Sequence, residues 1–314
     1  MLFPEVESLI QPSTNQPALK SGLFAFWSPM PVLSPALRYH GAKFRLAPWV
    51  MQFFPTHRVY VEPFGGAAGV LLQKTRAYAE VYNDLDDDIA NFFSVLRNPG
   101  QAEQLIQLLQ LTPYARAEFD LSYEECEHPV ERARRTAVRA GMGFGSAGAT
   151  KGVTGFRIDT ARPYGTAQHL WARYPSQLGA VIERLQGVLI ENRPAIEVMQ
   201  QHDTPDTLHF VDPPYLFGTR SLRNVVQGCY RHEMTDEQHL ELLAVLKKLK
   251  GMVVLSGYPS DLYERELADW QVHTTSSRIS AGRGTAVKTE VLWLNGACQQ
   301  RLVAPPAIQR ALEI

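Results

Sequence analysis

The sequence has little cysteine: Cys126, Cys229 and Cys298 are its three, widely spaced and odd in number. They make no Cys-x-x-Cys ligand pair and no disulfide framework, which argues against a zinc ribbon or a stapled secreted scaffold and leads us to expect a reducing, cytoplasmic setting. No apolar run approaches the roughly 18–20 residues that cross a bilayer, so no membrane partner is expected. The N-terminal stretch lacks a basic start followed by an apolar core and does not read as a secretory signal. An excess of one charge is also missing, since 31 Lys and Arg face 32 Asp and Glu for a formal net charge of −1. That balance neither announces nor excludes a polyanionic partner, and attraction for phosphate has to come from local clustering. No His/Cys cluster suggests a metal. No Gly-Lys-Ser/Thr follows a glycine turn, which excludes a nucleoside triphosphate loop.

What is present suits a globular chain: 45% of the 314 residues are hydrophobic and 20% charged. This length allows one large core with a smaller lobe or a substantial insertion. Residues 1–36 carry Pro4, Pro12, Pro17, Pro31 and Pro35 and read as an extended, partly disordered arm. Residues 299–314, with Pro305 and Pro306, read as a tail. Between them, β-type runs at 59–61, 80–82, 188–190, 208–211, 252–255 and 290–294 alternate with helical spacing at 70–78, 88–96 and 235–250. The runs at 188–190 and 208–211 read as buried strands. The last helix is expected to start at Thr235 as N-cap, to bury Leu240, Leu243, Val245 and Leu246, and to end at Gly251. Such alternation predicts an α/β fold with an open, mostly parallel sheet covered on both faces. Residues 111–185 break the rhythm and read as a smaller inserted domain between 37–110 and 186–298.

Val61-Glu62-Pro63-Phe64-Gly65-Gly66-Ala67-Ala68-Gly69 is a strand ending in a small-residue turn. Turns of this kind let a ligand approach the backbone at the carboxyl edge of an α/β sheet. Asp84 ends the next strand about 20 residues on, the spacing of a carboxylate that holds ribose hydroxyls. The glycines cannot be laid on Gly-x-Gly-x-x-Gly, so an adenosyl ligand without a pyrophosphate fits better than a dinucleotide.

Asp212-Pro213-Pro214-Tyr215 follows the apolar run at 208–211. Two prolines stop strand pairing and stiffen the turn, so the Asp212 carboxylate, the Pro213 carbonyl and the Tyr215 ring are presented together. That set suits methylation of an adenine amine, whose lone pair is delocalised into the ring. Two acceptors can hold both amine hydrogens and localise the lone pair, while an aromatic face stacks on a base taken out of the helix. Orientation toward the methyl donor supplies much of the rest, with no metal required.

With these motifs in place, the chain resembles the Dam-like family of DNA adenine N6-methyltransferases over roughly residues 37–294. Arg38-Tyr39-His40-Gly41-Ala42-Lys43 is similar to the family's N-terminal cofactor motif, with Ala42 in place of a usual glycine. The resemblance implies that Tyr39, Gly41 and Lys43 contact S-adenosylmethionine, as do Glu62, Pro63, Phe64, Gly65 and Gly66. It also implies that Asp84 binds the ribose, that Asn192 lies near the cofactor's adenine, and that Asp212 to Tyr215 form the catalytic tetrad, Asp212 also bordering the cofactor. A Rossmann-like methyltransferase domain with an inserted, mainly helical target-recognition domain is the implied architecture. The implied partner is double-stranded DNA, bound by a monomer or weak dimer.

Within that insert, Arg132, Arg134, Arg135, Arg139, Lys151, Arg157, Arg162, Arg173 and Arg184 outnumber the acids and are expected to form an electropositive patch. Arg135, Arg139, Lys151 and Arg157, together with Arg283 in a glycine-flanked stretch, are the expected DNA contacts. The segment 216–233 is expected to be a loop that orders on DNA, and His232 and His239 to be structural or surface residues. Two other readings stay open: methylation of RNA adenine or of a cytosine amine, and a silent DNA-binding protein that keeps the fold.

Overall fold

Valine, tyrosine, phenylalanine and leucine recur at period two through the strands, and the alternate positions pack on opposite faces of one sheet. The computed structural model describes residues 31–149, 152–158, 166–220, 230–281 and 284–303. Its strands are β1 (Val59–Glu62), β2 (Ala79–Asn83), β3 (Val188–Glu191), β4 (Thr207–Val211), β5 (Met252–Gly257), β6 (Gln271–Ala281) and β7 (Gly284–Leu294). The sheet order is β3-β2-β1-β4-β5-β7-β6. The first five of these run parallel, and β7 lies antiparallel to both β5 and β6.

Chain direction across the sheet reverses between β1 and β4. Connections after β1 lead one way and those after β4 the other, which leaves a crevice at the carboxyl ends of this pair, where open α/β sheets bind ligands. Glu62 closes β1, and Asp212 follows the last residue of β4. The topology therefore brings the two main motifs to one edge.

Helices cover both faces: α1 (Ala47–Val50), α2 (Asp87–Arg97), α3 (Pro99–Leu111), α4 (Arg116–Leu121), α5 (Pro129–Met142), α6 (Ala167–Leu185), α7 (Ala195–Gln201), α8 (Asp236–Leu246), α9 (Asp261–Glu266) and α10 (Gly296–Leu302). Five of them, α2 to α6, lie between β2 and β3 in the chain. α2 is capped by the Asp86 side chain on Asp88 N, and buries Ile89, Phe92, Phe93 and Leu96 at helical spacing. α5 starts on Pro129 and buries Val130, Ala133, Ala137 and Val138. These side chains share one core with Tyr60, Tyr82, Leu208 and Val254 of the sheet and with Trp171 and Leu178 of α6. On the other face, Val211, Val253, Leu255 and Trp293 pack with Leu242, Leu243, Leu246 and Tyr263.

Several local expectations need correction. Residues 70–78 do not form a helix. Leu72 N bonds to the Ala68 carbonyl, and Gln73 N and Lys74 N both bond to that of Val70, so a run of turns replaces it. Positive φ at Gly66 (49°) and Ala68 (54°) starts the segment outside helical geometry. Thr235 caps α8 as expected, but the helix ends at Leu246. Its buried positions are His239, Leu242, Leu243 and Leu246, whereas Leu240 is exposed. Gly251 does not cap α8; it leads into β5, and its N–H donates to the Asp203 carboxylate. β3 is an edge strand rather than a buried one, with Leu189 40% exposed. β6 carries no apolar run that would announce it, and residues 299–302, read as tail, belong to α10.

Candidate active site

The crevice is built first from backbone that only small residues allow. At Gly66 a Cβ would meet the Tyr39 ring at 2.8 Å, and at Gly65 it would fall 2.1 Å from the Tyr82 ring. Gly65 and Gly66 therefore lie flat against two aromatic walls and put no side chain of their own into the cavity. Gly66 N donates to Asp84 Oδ2 at 2.7 Å and Asp86 N to Oδ1 at 2.8 Å. Burial pushes the Asp84 carboxyl up to about 6, against those two backbone donors. Behind the turn, Glu62 accepts from the Tyr60 hydroxyl at 2.7 Å and from Leu71 N at 2.9 Å, and burial raises its carboxyl to about 8. Asn83 ties the end of β2 to the turn by donating to the Pro63 carbonyl at 2.8 Å.

At the other side of the cavity lies Asp212. Lys43 Nζ donates to its Oδ2 at 2.9 Å and to the Gly41 carbonyl at 3.1 Å. Although the ammonium is also 2.9 Å from Oδ1, that buried oxygen receives no aligned N–H among the described residues. Burial raises the Asp212 carboxyl, the Lys43 charge and hydrogen bond hold it down, and the Glu290 charge raises it further. The Tyr215 hydroxyl lies 3.0 Å from both Ser256 Oγ and Glu290 Oε2. Lys43 Nζ sits 4.7 Å from the centre of its ring, and Tyr258 meets it edge-on at 4.5 Å.

Tyr39, Gly41, Lys43, Glu62, Pro63, Phe64, Gly65, Gly66, Asp84, Asp212 and Pro214 all line one cavity. Tyr215 adjoins it through Lys43 and Asp212. Asn192 does not line it; its amide donates outward to the Asp84 carbonyl at 2.8 Å. The sequence reading missed the wall formed by Tyr230 and Arg231. Arg231 spans the opening to Asp86 Oδ1 (3.1 Å) and Asp88 Oδ2 (3.0 Å), and a Cβ on Gly41 would fall 2.3 Å from the Tyr230 hydroxyl. These two residues fall in the expected DNA-ordered loop, of which 221–229 lie outside the described residues. Glu290 was also missed, although a lone acid opening the apolar run Val291 to Leu294 was a usable signal.

The arginines of the insert differ from expectation. Arg135 pairs with Glu131, Arg134 with Glu131 and Glu118, and Arg132 and Arg139 with Asp88. Arg184 is buried against Glu80 at 2.6 Å, and Arg157 is buried as well. The expected electropositive patch is largely neutralised by internal ion pairs: Glu118 and Glu131 of the insert take Arg134 and Arg135, and Asp88 and Glu80, from outside it, take Arg132, Arg139 and Arg184. Lys151 and Arg283 lie outside the described residues. His239 is structural: it bonds the Tyr263 hydroxyl at 2.9 Å, and burial pulls its pKa down to about 4.

Among the described residues no group of three or more His, Cys, Asp or Glu side chains could hold a metal, and no helix is long and apolar enough to cross a membrane. The donor set fits an adenosyl sulfonium: a ribose-type carboxylate, aromatic walls, and acids facing a cation. No curated protein matches the chain. Over residues 39–275, however, it matches the model of the D12 class N6 adenine-specific DNA methyltransferases, and it belongs to that family of S-adenosylmethionine-dependent enzymes.

Proposed function

We propose that this chain methylates the N6 amine of an adenine flipped out of duplex DNA at a specific site, and that the cavity between β1 and β4 holds the donor. S-adenosylmethionine supplies a methyl group on a positively charged sulfur. Asp84 takes the ribose hydroxyls, Tyr39 and Phe64 flank the adenosyl group, and the backbone of 65–66 lets it approach closely. Asp212 Oδ1 and the Pro213 carbonyl accept the two amine hydrogens, and the Tyr215 ring supports the base. The Asp212 carboxylate would take up the proton that the amine releases on methylation. Lys43 keeps that carboxylate ionised until then.

The observation that supports this reading best is that Asp84 and Asp212, from different strand ends, line the same cavity. Contact of Arg135 or Arg139 with DNA phosphate would require exchange of their present carboxylate partners, so we place the phosphate contacts on the rim nearer the crevice. The test is labelled-methyl transfer to unmodified duplex DNA and to RNA, followed by nucleoside analysis. N6-methyladenine in duplex DNA is expected. Label confined to RNA or to N4-methylcytosine would overturn the reading, and so would binding of DNA and donor without transfer.

A further inference from the structure

Glu290 stands outside every motif that points to the reaction, yet it reaches the tetrad. Three neighbouring strands place its partners in a row: Tyr215 follows β4, Ser256 lies on β5 and Glu290 on β7. Ser277 on β6 extends the row, its hydroxyl donating to Glu290 Oε1 at 3.2 Å. Oε2 accepts from the Tyr215 hydroxyl at 3.0 Å. At 5% exposure the carboxylate is buried, and among the described residues no cation pairs with it. A carboxyl group buried in a sheet is unfavourable unless its oxygens find hydrogen-bond donors. Among the described residues two hydroxyl donors are its partners, and one of them belongs to the tetrad.

The geometry points to Glu290 as a positioning residue of the methyl transfer: it holds the Tyr215 hydroxyl and so sets the plane of the ring on which the base rests. An aromatic ring anchored only at Cβ turns about two side-chain torsions. Fixing its far end removes that freedom before the base arrives, and orientation of this kind is realised in the rate rather than in donor affinity. Ser256 shares the hydroxyl but is itself a hydroxyl rotor, whereas the carboxylate is a fixed acceptor. This role rests on the reading above, that the base lies against Tyr215.

Single-turnover methyl transfer to unmodified duplex DNA tests it, with donor affinity measured alongside. Glu290→Ala should slow transfer about tenfold, the worth of one lost hydrogen bond of roughly 1.4 kcal/mol, with donor affinity unchanged within about twofold. Glu290→Gln keeps an acceptor oxygen at the same reach and should restore the rate to within about threefold of wild type. In the Tyr215→Phe background, Glu290→Ala should have no further effect. Should Glu290→Ala fail to fold, Glu290→Asp replaces it: the charge stays, the acceptor withdraws by one methylene, and a loss of about fivefold is expected. The role is rejected if a folded Ala or Asp variant matches wild type, if Gln is as slow as Ala, or if the double variant loses a further tenfold. Wild-type protein that transfers no methyl group to DNA would reject the parent reading instead; an active wild type with an unaffected Glu290 variant rejects only this one.

Discussion

Lys43 Nζ and Asp212 Oδ2 meet at 2.9 Å although 169 positions separate them in the chain. The ammonium is buried and the carboxylate nearly so, so their attraction is little screened by solvent, and it offsets part of the cost of burying the carboxylate. Oδ2 carries the aligned hydrogen bond, and Oδ1, the oxygen proposed to accept from the amine, receives no aligned N–H among the described residues. Loss of Lys43 removes the charge that holds the carboxyl down, so its pKa rises. Lys43→Met should therefore move the acid limb of the pH–rate profile upward, with activity partly recovered on the alkaline side. A pH–rate profile unchanged in position would contradict this.

Asp212→Ala should reduce methyl transfer by about a thousandfold or more, equivalent to roughly 4 kcal/mol, because only the Pro213 carbonyl is then left to orient the amine and no carboxylate remains to take its proton. Donor affinity, measured by calorimetry, should change by less than about threefold. Equal losses of both would mean that Asp212 serves the donor and not the base.

Asp84→Ala should weaken donor binding by about 10- to 100-fold, the range for charge-assisted hydrogen bonds of roughly 1.5–3 kcal/mol. The wild-type carboxyl titrates at about 6. Its ionised form can accept from both ribose hydroxyls, so the part of the affinity that Asp84 contributes should be complete above pH 7 and be lost as pH drops through 6. Asp84→Asn should lose that dependence. Glu62 titrates at about 8, which separates its effect from this window.

Tyr215→Ala should impair turnover much more than Tyr215→Phe, since the proposed mechanism rests the base on the ring face and uses the hydroxyl only to anchor the ring. We expect about tenfold from Phe and about 100-fold or more from Ala, in line with roughly 1–3 kcal/mol for base–aromatic stacking. Single-turnover rates decide between them, and equal losses would assign the work to the hydroxyl.

Arg184 serves as a contrast among the basic residues of the insert. It is buried on Glu80 beside Lys74. Arg184→Ala should cost about 3–5 kcal/mol in denaturant unfolding, by stripping a buried carboxylate of one of its two cations. Its effect on DNA affinity should follow the folded fraction alone.

The strand–helix alternation, the capped start at Thr235 and the ligand edge at residues 62–66 and 212–215 were all legible, because each depends on residues close together in the chain. The same locality explains the misses. Residues 70–78 have helical spacing, but a positive φ at Gly66 and Ala68 sets the backbone on another path. β6 has no apolar run, because an edge strand in a hairpin needs only its partner's hydrogen bonds. Arginine density in the insert suggested a phosphate-binding face, yet Asp88, from α2, takes two of those arginines.

Sequence by itself determined the chemistry on offer: a glycine turn, an acid one strand later, and a carboxylate stiffened by two prolines before an aromatic ring. Tertiary structure decided which groups work together. The order β4-β5-β7 across the sheet sets Glu290 behind Tyr215, while packing of the segments before α1 and before α8 sets Lys43 on Asp212 and Arg231 at the opening of the cavity. Contacts between such distant positions follow from strand order and packing, and no local pattern of residues encodes them.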